Sequence, residues 1–215
     1  MPESSEMTGS DQINSDPASQ KKQERRRELI DAALMVFDRD GFSAAKMEDV
    51  AAAAGMAKGT VYLYADSKVA LFQDVIREKI YPVLIEVEAI FKTHEGSSVD
   101  LLRNQIRRFS FEVLNPDRQK VMRLIITEGK QFPEIANFYA ESVVQRGMDA
   151  LRATLSRGME RDEFRQMPLE QLPFSLLGGI ILPNVWRVLH GQEFSQRPDH
   201  MIDQHLDIFL NGLLK

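Results

Sequence analysis

Cysteine is absent from this chain of 215 residues, and its absence excludes disulfide bonds, thiol nucleophiles and cysteine-ligated zinc. Long apolar runs are also missing, because none approaches the roughly 18 residues that a membrane span requires. Residues 1–5 contain neither a basic start nor an apolar core, so they do not resemble a secretory signal. We therefore expect a protein without a membrane partner that works in the reducing cytoplasm.

Signatures of catalysis are scarce as well. Four histidines occur without the spacing of metal ligands, namely His94, His190, His200 and His205. The chain contains no glycine-rich phosphate loop and no nucleophile elbow. The sequence therefore predicts no catalytic residue, no metal site and no cofactor, and an enzyme is the disfavoured interpretation.

The net charge of −5 is distributed unevenly along the chain. Residues 1–19 carry four acids and no base, whereas residues 20–70 carry nine bases against eight acids. Residues 71–215 carry 18 bases against 20 acids. The segment 20–70 is thus the most basic part of the chain and permits a local phosphate-binding face, although a solvated surface of mixed charge explains the same counts equally well.

Apolar residues recur at intervals of three to four over most of the chain, which is the period of an amphipathic helix. No alternating pattern of useful strand length occurs. The sequence predicts an all-α fold of about nine helices, at approximately residues 21–40, 47–54, 57–64, 67–91, 98–114, 117–129, 134–161, 168–190 and 199–214. Pro82 falls inside the fourth helix and is expected to kink or break it.

Composition and helix lengths predict three parts. Residues 1–19 are rich in Ser, Asp, Gln and Pro and predict a disordered tail. Residues 20–66 form a small N-terminal domain that contains a helix-turn-helix motif at about 46–65. Residues 67–215 form a larger domain, and the boundary lies in the long fourth helix.

The segment 47–62 carries the strongest functional signal. Two short helices that cross over a tight turn need a small residue where they touch, and Ala51 supplies it. Gly55, four positions later, supplies the positive φ that the turn requires. The second helix then presents polar and aromatic groups near its start, at Lys58, Thr60, Tyr62 and Leu63, and this set suits contacts with phosphates and base edges.

Residues 22–75 resemble the DNA-binding domain of the TetR (tetracycline repressor-like) family. The likeness rests on residues 38–41 and 47–72, including the run Lys58-Gly59-Thr60-Val61-Tyr62 and the continuation Ser67-Lys68-x-x-Leu71. It implies a homodimer of all-helical subunits, each with an N-terminal DNA reader and a C-terminal domain for effector binding and dimerisation. It also implies contacts with a double-stranded operator at Lys46, Met47, Lys58, Gly59, Thr60, Tyr62, Leu63, Tyr64 and Lys68.

Three positions depart from the family pattern. Ala45-Lys46 precede the second helix where members usually have Thr or Ser, so any side-chain cap there is weak or comes from Ser43. Ala57 replaces a Ser-like start of the third helix. Ala65 replaces a usual Phe, and Phe72 or Tyr64 would partly fill the space.

The C-terminal half offers a plausible pocket for an apolar or aromatic effector. We predict that its lining comes from residues on several helices, namely Phe109, Arg123, Ile126, Tyr139, Met148, Phe174, Leu177, Ile181 and Trp186. Residue by residue, membership of the ordinary core is the competing explanation. Gly178-Gly179 within an apolar helix indicates either close helix approach at a dimer interface or room for a ligand.

The last two helices are the predicted dimer interface. Their apolar faces exceed what one subunit could cover, through Leu172, Leu176, Ile180, Pro183, Ile202, Leu206, Phe209 and Leu213. A two-fold dimer predicts a roughly palindromic operator in the nucleoid. The sequence therefore favours a repressor that a small ligand releases from DNA, and the alternative is an activator or architectural regulator without a ligand.

Overall fold

The computed structural model of the protein describes residues 17–113, 115–190 and 198–214. Within these ranges the chain forms α1 (Pro17–Asp40), α2 (Met47–Ala53), α3 (Lys58–Tyr62), α4 (Lys68–Thr93), α5 (Ser98–Val113), α6 (Pro116–Glu128), α7 (Pro133–Tyr139), α8 (Gln145–Glu160), α9 (Leu172–His190) and α10 (Pro198–Leu213). A π-helical turn, Ala140–Val144, joins α7 to α8 without a break, so the described chain contains nine continuous helices. The prediction of an all-α fold of about nine helices is confirmed.

The helices differ from the sequence prediction most clearly in three places. The first helix begins at Pro17, so residues 17–19 of the expected tail are helical, and residues 1–16 lie outside the described part. A proline is well tolerated in the first turn of a helix, where its missing N–H has no partner to lose. Helix α9 begins at Leu172 instead of residue 168. The fourth helix continues through Pro82 without ending, and α1, α5, α6, α7 and α8 all pack against it.

The helix ends follow the local sequence. Gly41 adopts a φ of +80° directly after α1, and its N–H donates to the Phe37 carbonyl over 3.0 Å. Ser67 caps α4 by accepting a hydrogen bond from the Ala70 N–H at 3.1 Å, as expected for this residue type. By contrast, α2 begins after Lys46 with no side-chain cap, in line with the departure noted in the sequence.

Two apolar cores hold the described helices together. The first core joins α1–α4 to residues of α6 and α7, and its centre is a cluster of four phenylalanines, Phe37, Phe42, Phe72 and Phe132. Their ring centroids lie 4.8–5.7 Å apart, mostly edge to face, which is the preferred geometry of aromatic pairs. The second core joins α5, α8, α9 and α10. The predicted division at residue 66/67 remains a prediction.

None of the helices in the described ranges is long and apolar enough to cross a membrane.

Candidate DNA interface and ligand cavity

The turn between α2 and α3 sets the direction of the third helix. Gly55 has a φ of +62°, as the sequence predicted. Its N–H donates to the Ala52 carbonyl at 3.2 Å, and the Met56 N–H donates to the Ala51 carbonyl at 2.9 Å. This pair of bonds is a Schellman motif, which satisfies the free carbonyls at the end of a helix and turns the chain sharply. Val61 of α3 is fully buried in the first core and holds α3 against it.

The outer face of α3 carries the exposed candidates for DNA contact. Leu63 is 84% exposed and Tyr62 is 41% exposed, which is unusual for large apolar groups. No other atom would lie within 4 Å of a Cβ at Gly59, so this part of the backbone is open to close approach. The face therefore combines the open backbone at Gly59 with the aromatic ring of Tyr62 and the aliphatic side chain of Leu63. This combination suits a surface that enters a groove of DNA.

Lys58 is held next to this face by a surface ion pair. Its Nζ lies 2.5 Å from Oε1 of Glu48 on α2, and both side chains are about half exposed. The hydrogen bond between them raises the pKa of Lys58 and lowers the pKa of Glu48. Exposed pairs of this kind contribute little stability, so a phosphate can replace Glu48 as the partner of Lys58 at small cost.

Two residues that the family likeness implied for DNA contact have side chains that pack or bond within the protein. Met47 is only 7% exposed and packs in the first core, because it shares the inner face of α2 with Val50 and Ala51. The Lys68 side chain points from the start of α4 toward the loop between α1 and α2. Its Nζ donates to the carbonyls of Phe42 (2.6 Å), Ser43 (3.0 Å) and Ala45 (2.9 Å). The Met47 side chain and the Lys68 ammonium thus point into the protein, and contact with DNA at these two positions stays a prediction.

Lys68 is also held over an aromatic ring. Its Nζ lies 4.8 Å from the centroid of Phe42, a distance typical of a cation–π contact. Burial lowers the pKa of this ammonium, since desolvation disfavours the charged form. Its role in the structure is to tie the loop that connects α1 and α2. The partly buried Tyr64 likewise packs against the first core.

The basic start of α1 is only partly available to a polyanion. Arg26 pairs with Asp74 at 3.0 Å and with Glu78 at 3.5 Å, and Arg27 lies 3.7 Å from Glu78, so both tie α1 to α4. Lys46, at the start of α2, is exposed and forms no ion pair with any residue of the described chain. Lys46 and Lys58 are therefore the two candidate phosphate contacts nearest to α3.

A cavity of about 290 Å³ lies between the two cores. Helices α4 to α9 all contribute to its wall. Five of the nine predicted lining residues are in that wall, namely Phe109, Tyr139, Met148, Leu177 and Ile181. The remaining surface is mainly aliphatic and includes Ile80, Val83, Leu84 and Val87 from α4. The long helix α4 thus begins directly after α1–α3, and residues in its middle line the cavity.

The other four predicted lining residues lie elsewhere. Arg123 is on the outside of α6, where it pairs with Asp38 of α1, and Ile126 is exposed on the same helix. Phe174 and Trp186 are about half exposed on the outer face of α9. Apolar periodicity alone does not distinguish an inner wall from an outer face, and these four residues are corrected on that ground.

The cavity wall contains polar residues that the sequence reasoning did not select. Gln105 on α5 is 1% exposed, and its Oε1 accepts a hydrogen bond from Thr154 Oγ1 at 2.7 Å. Its Nε2 has no hydrogen-bond partner within the described residues. Gln105 falls in line with the buried Leu101, Leu102 and Ile106, and a polar residue in such an apolar stripe was the available signal.

Charge in the wall is internally balanced. Glu112 of α5 forms ion pairs with Arg108 and with Arg118 of α6, and Arg108 also pairs with Glu86 of α4. Burial raises the pKa of Tyr139 to about 12, so its phenol is neutral at physiological pH. Asn184 donates from Nδ2 to the Ile180 carbonyl at 2.7 Å. The cavity is therefore mostly apolar, with neutral polar groups and one set of paired ions.

The outer face of α9 is unusually apolar for a surface. Exposed residues recur every four positions along it, at Phe174, Gly178, Leu182 and Trp186. Most of the residues that the sequence assigned to a dimer interface are buried within the subunit instead, including Leu172, Leu176, Ile180, Leu206 and Leu213. They belong to the second core, because α9 and α10 cover each other on that side. Ile202 and Phe209 are partly buried against the same core.

Comparisons with known proteins cover both parts of the chain. The family described as "Bacterial regulatory proteins, tetR family" matches residues 29–75, and the one described as "AefR-like transcriptional repressor, C-terminal domain" matches residues 100–211. The first match spans the motif around Gly55, and the second spans most of α5–α10. The second match alone covers more than half of the 215 residues.

Individual relatives are more distant. The chain is 26% identical over 116 residues to the HTH-type transcriptional regulator AcrR of Shigella flexneri, and this stretch is 53% of each chain. The match thus spans about half the length of that curated relative. A TetR-family transcriptional regulator from Mesorhizobium loti has a similar fold, with a TM-score of 0.76, 20% identity and coverage of 91% of this chain and 99% of that one.

A second solved structure contains a ligand. FadR from Bacillus subtilis, crystallised in complex with stearoyl-CoA, superposes with a TM-score of 0.72 at 19% identity. The superposition covers 86% of this chain and 98% of that one. At such identities the likeness establishes a shared fold.

Proposed function

Because the chain belongs to the TetR family of bacterial regulatory proteins, we propose that it is a transcriptional repressor that leaves its operator when a small ligand binds. The observation that carries this proposal is the exposure of Tyr62 and Leu63 beside an open Gly59, on a short helix that a sharp turn projects from the subunit. Two adjacent exposed large groups beside an open backbone suit a partner of matching shape.

The DNA contacts follow from this face. A helix of this kind fits the major groove, where the phenol of Tyr62 and the hydroxyl of Thr60 can bond base edges or phosphates. Leu63 can pack on a thymine methyl group. Lys46 and Lys58 flank the helix and can neutralise backbone phosphates, which fix the register of the protein on the duplex.

A second copy of the chain is the partner that we propose for α9. Its outer stripe of Phe174, Gly178, Leu182 and Trp186 is apolar, and Gly178 permits close approach of a symmetry-related helix. Isologous contacts of this kind give two-fold dimers. Two α3 helices related by a two-fold axis would read two half-sites of a palindrome about one helical turn apart or a multiple of it.

The route from ligand to DNA runs through α4. This helix begins at Lys68, just after the reader, and presents Ile80, Val83, Leu84 and Val87 to the cavity. A ligand that fits a different position of α4 better than the DNA-bound one would change the spacing of the two readers. A coupling of about 1–3 kcal/mol, or roughly 5–150-fold in affinity, is enough to release DNA.

Binding-site selection on random duplex DNA tests the proposal, followed by gel shift with the selected sequence. We expect enrichment of a palindrome that binds one dimer, and loss of the complex when an effector is added. Enrichment without any ligand response would favour the activator or architectural alternative. Failure to enrich any sequence at low salt would contradict the proposal. A repressor of this kind acts at the chromosome, so the nucleoid is its predicted location.

A further inference from the structure

We infer that the cavity binds a neutral, largely apolar molecule of about ten non-hydrogen atoms that presents a hydrogen-bond acceptor, such as a ketone or ester oxygen, to the side-chain amide of Gln105. This inference rests on the proposed ligand-responsive repressor and specifies the chemistry of its ligand.

Gln105 provides the polar contact. It lines the cavity, is 1% exposed and has an Nε2 without a partner, although its Oε1 is bonded to Thr154 at 2.7 Å. In the orientation of the amide seen here, the Thr154 hydroxyl occupies Oε1 and leaves Nε2 unsatisfied. Buried donors in proteins are nearly always hydrogen-bonded, so an unpaired one at the wall of a cavity indicates that a bound molecule completes the pair.

The charge of the wall argues for a neutral ligand. Glu112 and Arg118 are the ionised residues of the lining, and they pair with each other. Glu112 is further paired with Arg108, which also pairs with Glu86. Two guanidiniums thus face two carboxylates, so neither sign of charge is left over for a ligand ion. An ionised ligand would lose its hydration without gaining a partner in this mainly aliphatic space, and this loss is large.

The size of the cavity limits the ligand. An apolar cavity of about 150 Å³ holds benzene, so a volume of about 290 Å³ suits a molecule of on the order of ten non-hydrogen atoms. This volume is at the small end of the usual range for small-molecule sites. It is far too small to enclose a molecule like the stearoyl-CoA in the FadR crystal. The volume of the cavity therefore suits a compact ligand.

Matched compounds and matched variants test the inference. The probes are 1-indanone and its hydrocarbon indane, 2-nonanone and nonane, and two charged analogues, indane-1-carboxylate and 1-aminoindane. Affinity is measured by calorimetry and by thermal shift, which rises with ligand occupancy. The proteins are the wild type, Gln105→Met, and Gln119→Met as the control, because Gln119 is a second glutamine of the same wall.

We expect the better-fitting ketone to bind the wild type about tenfold more tightly than its hydrocarbon, and the charged analogues to bind least. Gln105→Met should remove the preference for the ketone without weakening the hydrocarbon, since methionine has a similar length and no polar group. Gln119→Met should keep the preference. In the wild type, the ketone should also shift the side-chain amide resonances of Gln105, which tests the contact even if Gln105→Met does not fold.

Three outcomes would overturn the inference. They are equal affinity for ketone and hydrocarbon in the wild type, strongest binding of a charged analogue, and a ketone preference that survives Gln105→Met. Each is measured without DNA. A protein that binds a selected operator but shows one of these outcomes would contradict the ligand class and leave the proposed repressor standing. A protein that binds the ketone as expected but selects no operator would support the ligand class and contradict the proposed repressor.

Discussion

Arg118 of α6 donates from Nε to the main-chain carbonyl of Lys79 in α4, over 2.7 Å. Lys79 lies three residues before Pro82, next to Glu78, whose carbonyl would accept from residue 82 in a helix without proline. The same guanidinium forms an ion pair with Glu112 and lines the cavity. One side chain thus connects the proposed ligand site to the backbone of the helix that leads to the DNA reader.

We predict that Arg118→Met lowers the free energy of unfolding by about 1–3 kcal/mol, because it leaves Glu112 with one partner and removes the hydrogen bond to the Lys79 carbonyl. Urea denaturation measures the change. Arg152→Met is the control, since it removes only an exposed pair with Asp149 and should cost less than about 0.5 kcal/mol. Equal stability of the two variants would show that the contact of Arg118 with α4 is energetically unimportant.

Replacing Tyr62 and Lys58 together by alanine should weaken operator binding and leave folding intact. Each lost contact is expected to cost about 1–3 kcal/mol, because both side chains lie on or beside the exposed face of α3. Gel-shift titration and a thermal melt measure the two properties. Lys92→Ala, an exposed change at the far end of α4, serves as the control. Unchanged operator affinity in the double variant would refute the assignment of α3.

Lys46 and Lys68 should behave differently although both are lysines close to the motif. Lys46→Ala should reduce the slope of log affinity against log salt by about 0.9, as expected for one lost phosphate contact. Lys68→Met should leave that slope unchanged. It should instead lower the melting temperature, because three backbone carbonyls lose their donor. A reduced salt slope in Lys68→Met would restore Lys68 as a phosphate contact.

Replacement of the neighbouring glycines Gly178 and Gly179 of α9 by alanine should have different effects on the subunit and on the dimer. A Cβ at Gly179 would overlap the imidazole of His205 on α10, so Gly179→Ala should cost about 1–3 kcal/mol of subunit stability. A Cβ at Gly178 would meet no atom within 4 Å in the subunit, and alanine favours a helix by up to about 1 kcal/mol. Gly178→Ala should therefore keep the subunit stable but weaken the dimer. Light scattering on a dilution series separates the two effects.

Leu182→Asp should convert the proposed dimer to a monomer, because it places a charge in the middle of the outer stripe of α9. Trp186 is the only tryptophan of the chain and lies one turn further along this stripe, so its fluorescence reports the same event. Phe111→Asp, at an exposed position on α5, is the control and should leave the assembly intact. A dimer that survives Leu182→Asp would locate the interface elsewhere.

Local sequence rules predicted the helices and the turn well. The positive φ of Gly55 and the cap at Ser67 depend on residues within a few positions, so they can be read from the sequence. The inward direction of Met47 was also readable, because Met47, Val50 and Ala51 share one helical face. The family likeness outweighed that local signal in the prediction.

Contacts between distant segments could not be predicted in the same way. Lys68 bonds carbonyls that lie 23 to 26 positions earlier, and nothing in its neighbours indicates this. Phe174 and Leu177 are both apolar residues of α9, but one faces outward and the other faces the cavity. The difference depends on which helices pack on each side, and that is decided by the whole fold.

The phenylalanine cluster has a consequence for how the protein unfolds. Phe132 precedes α7, in the C-terminal part of the chain, yet its ring lies 4.8 Å from that of Phe42 in the loop after α1. Val121, Leu124 and Ile135 belong to the same core as α1–α3. Unfolding of the C-terminal helices would therefore expose the apolar side of α1–α3 that packs against them. Both halves of the chain should consequently lose structure in a single cooperative transition. A mutation far from DNA that loosens α6 would then reduce repression through the amount of folded protein rather than through the affinity for the operator.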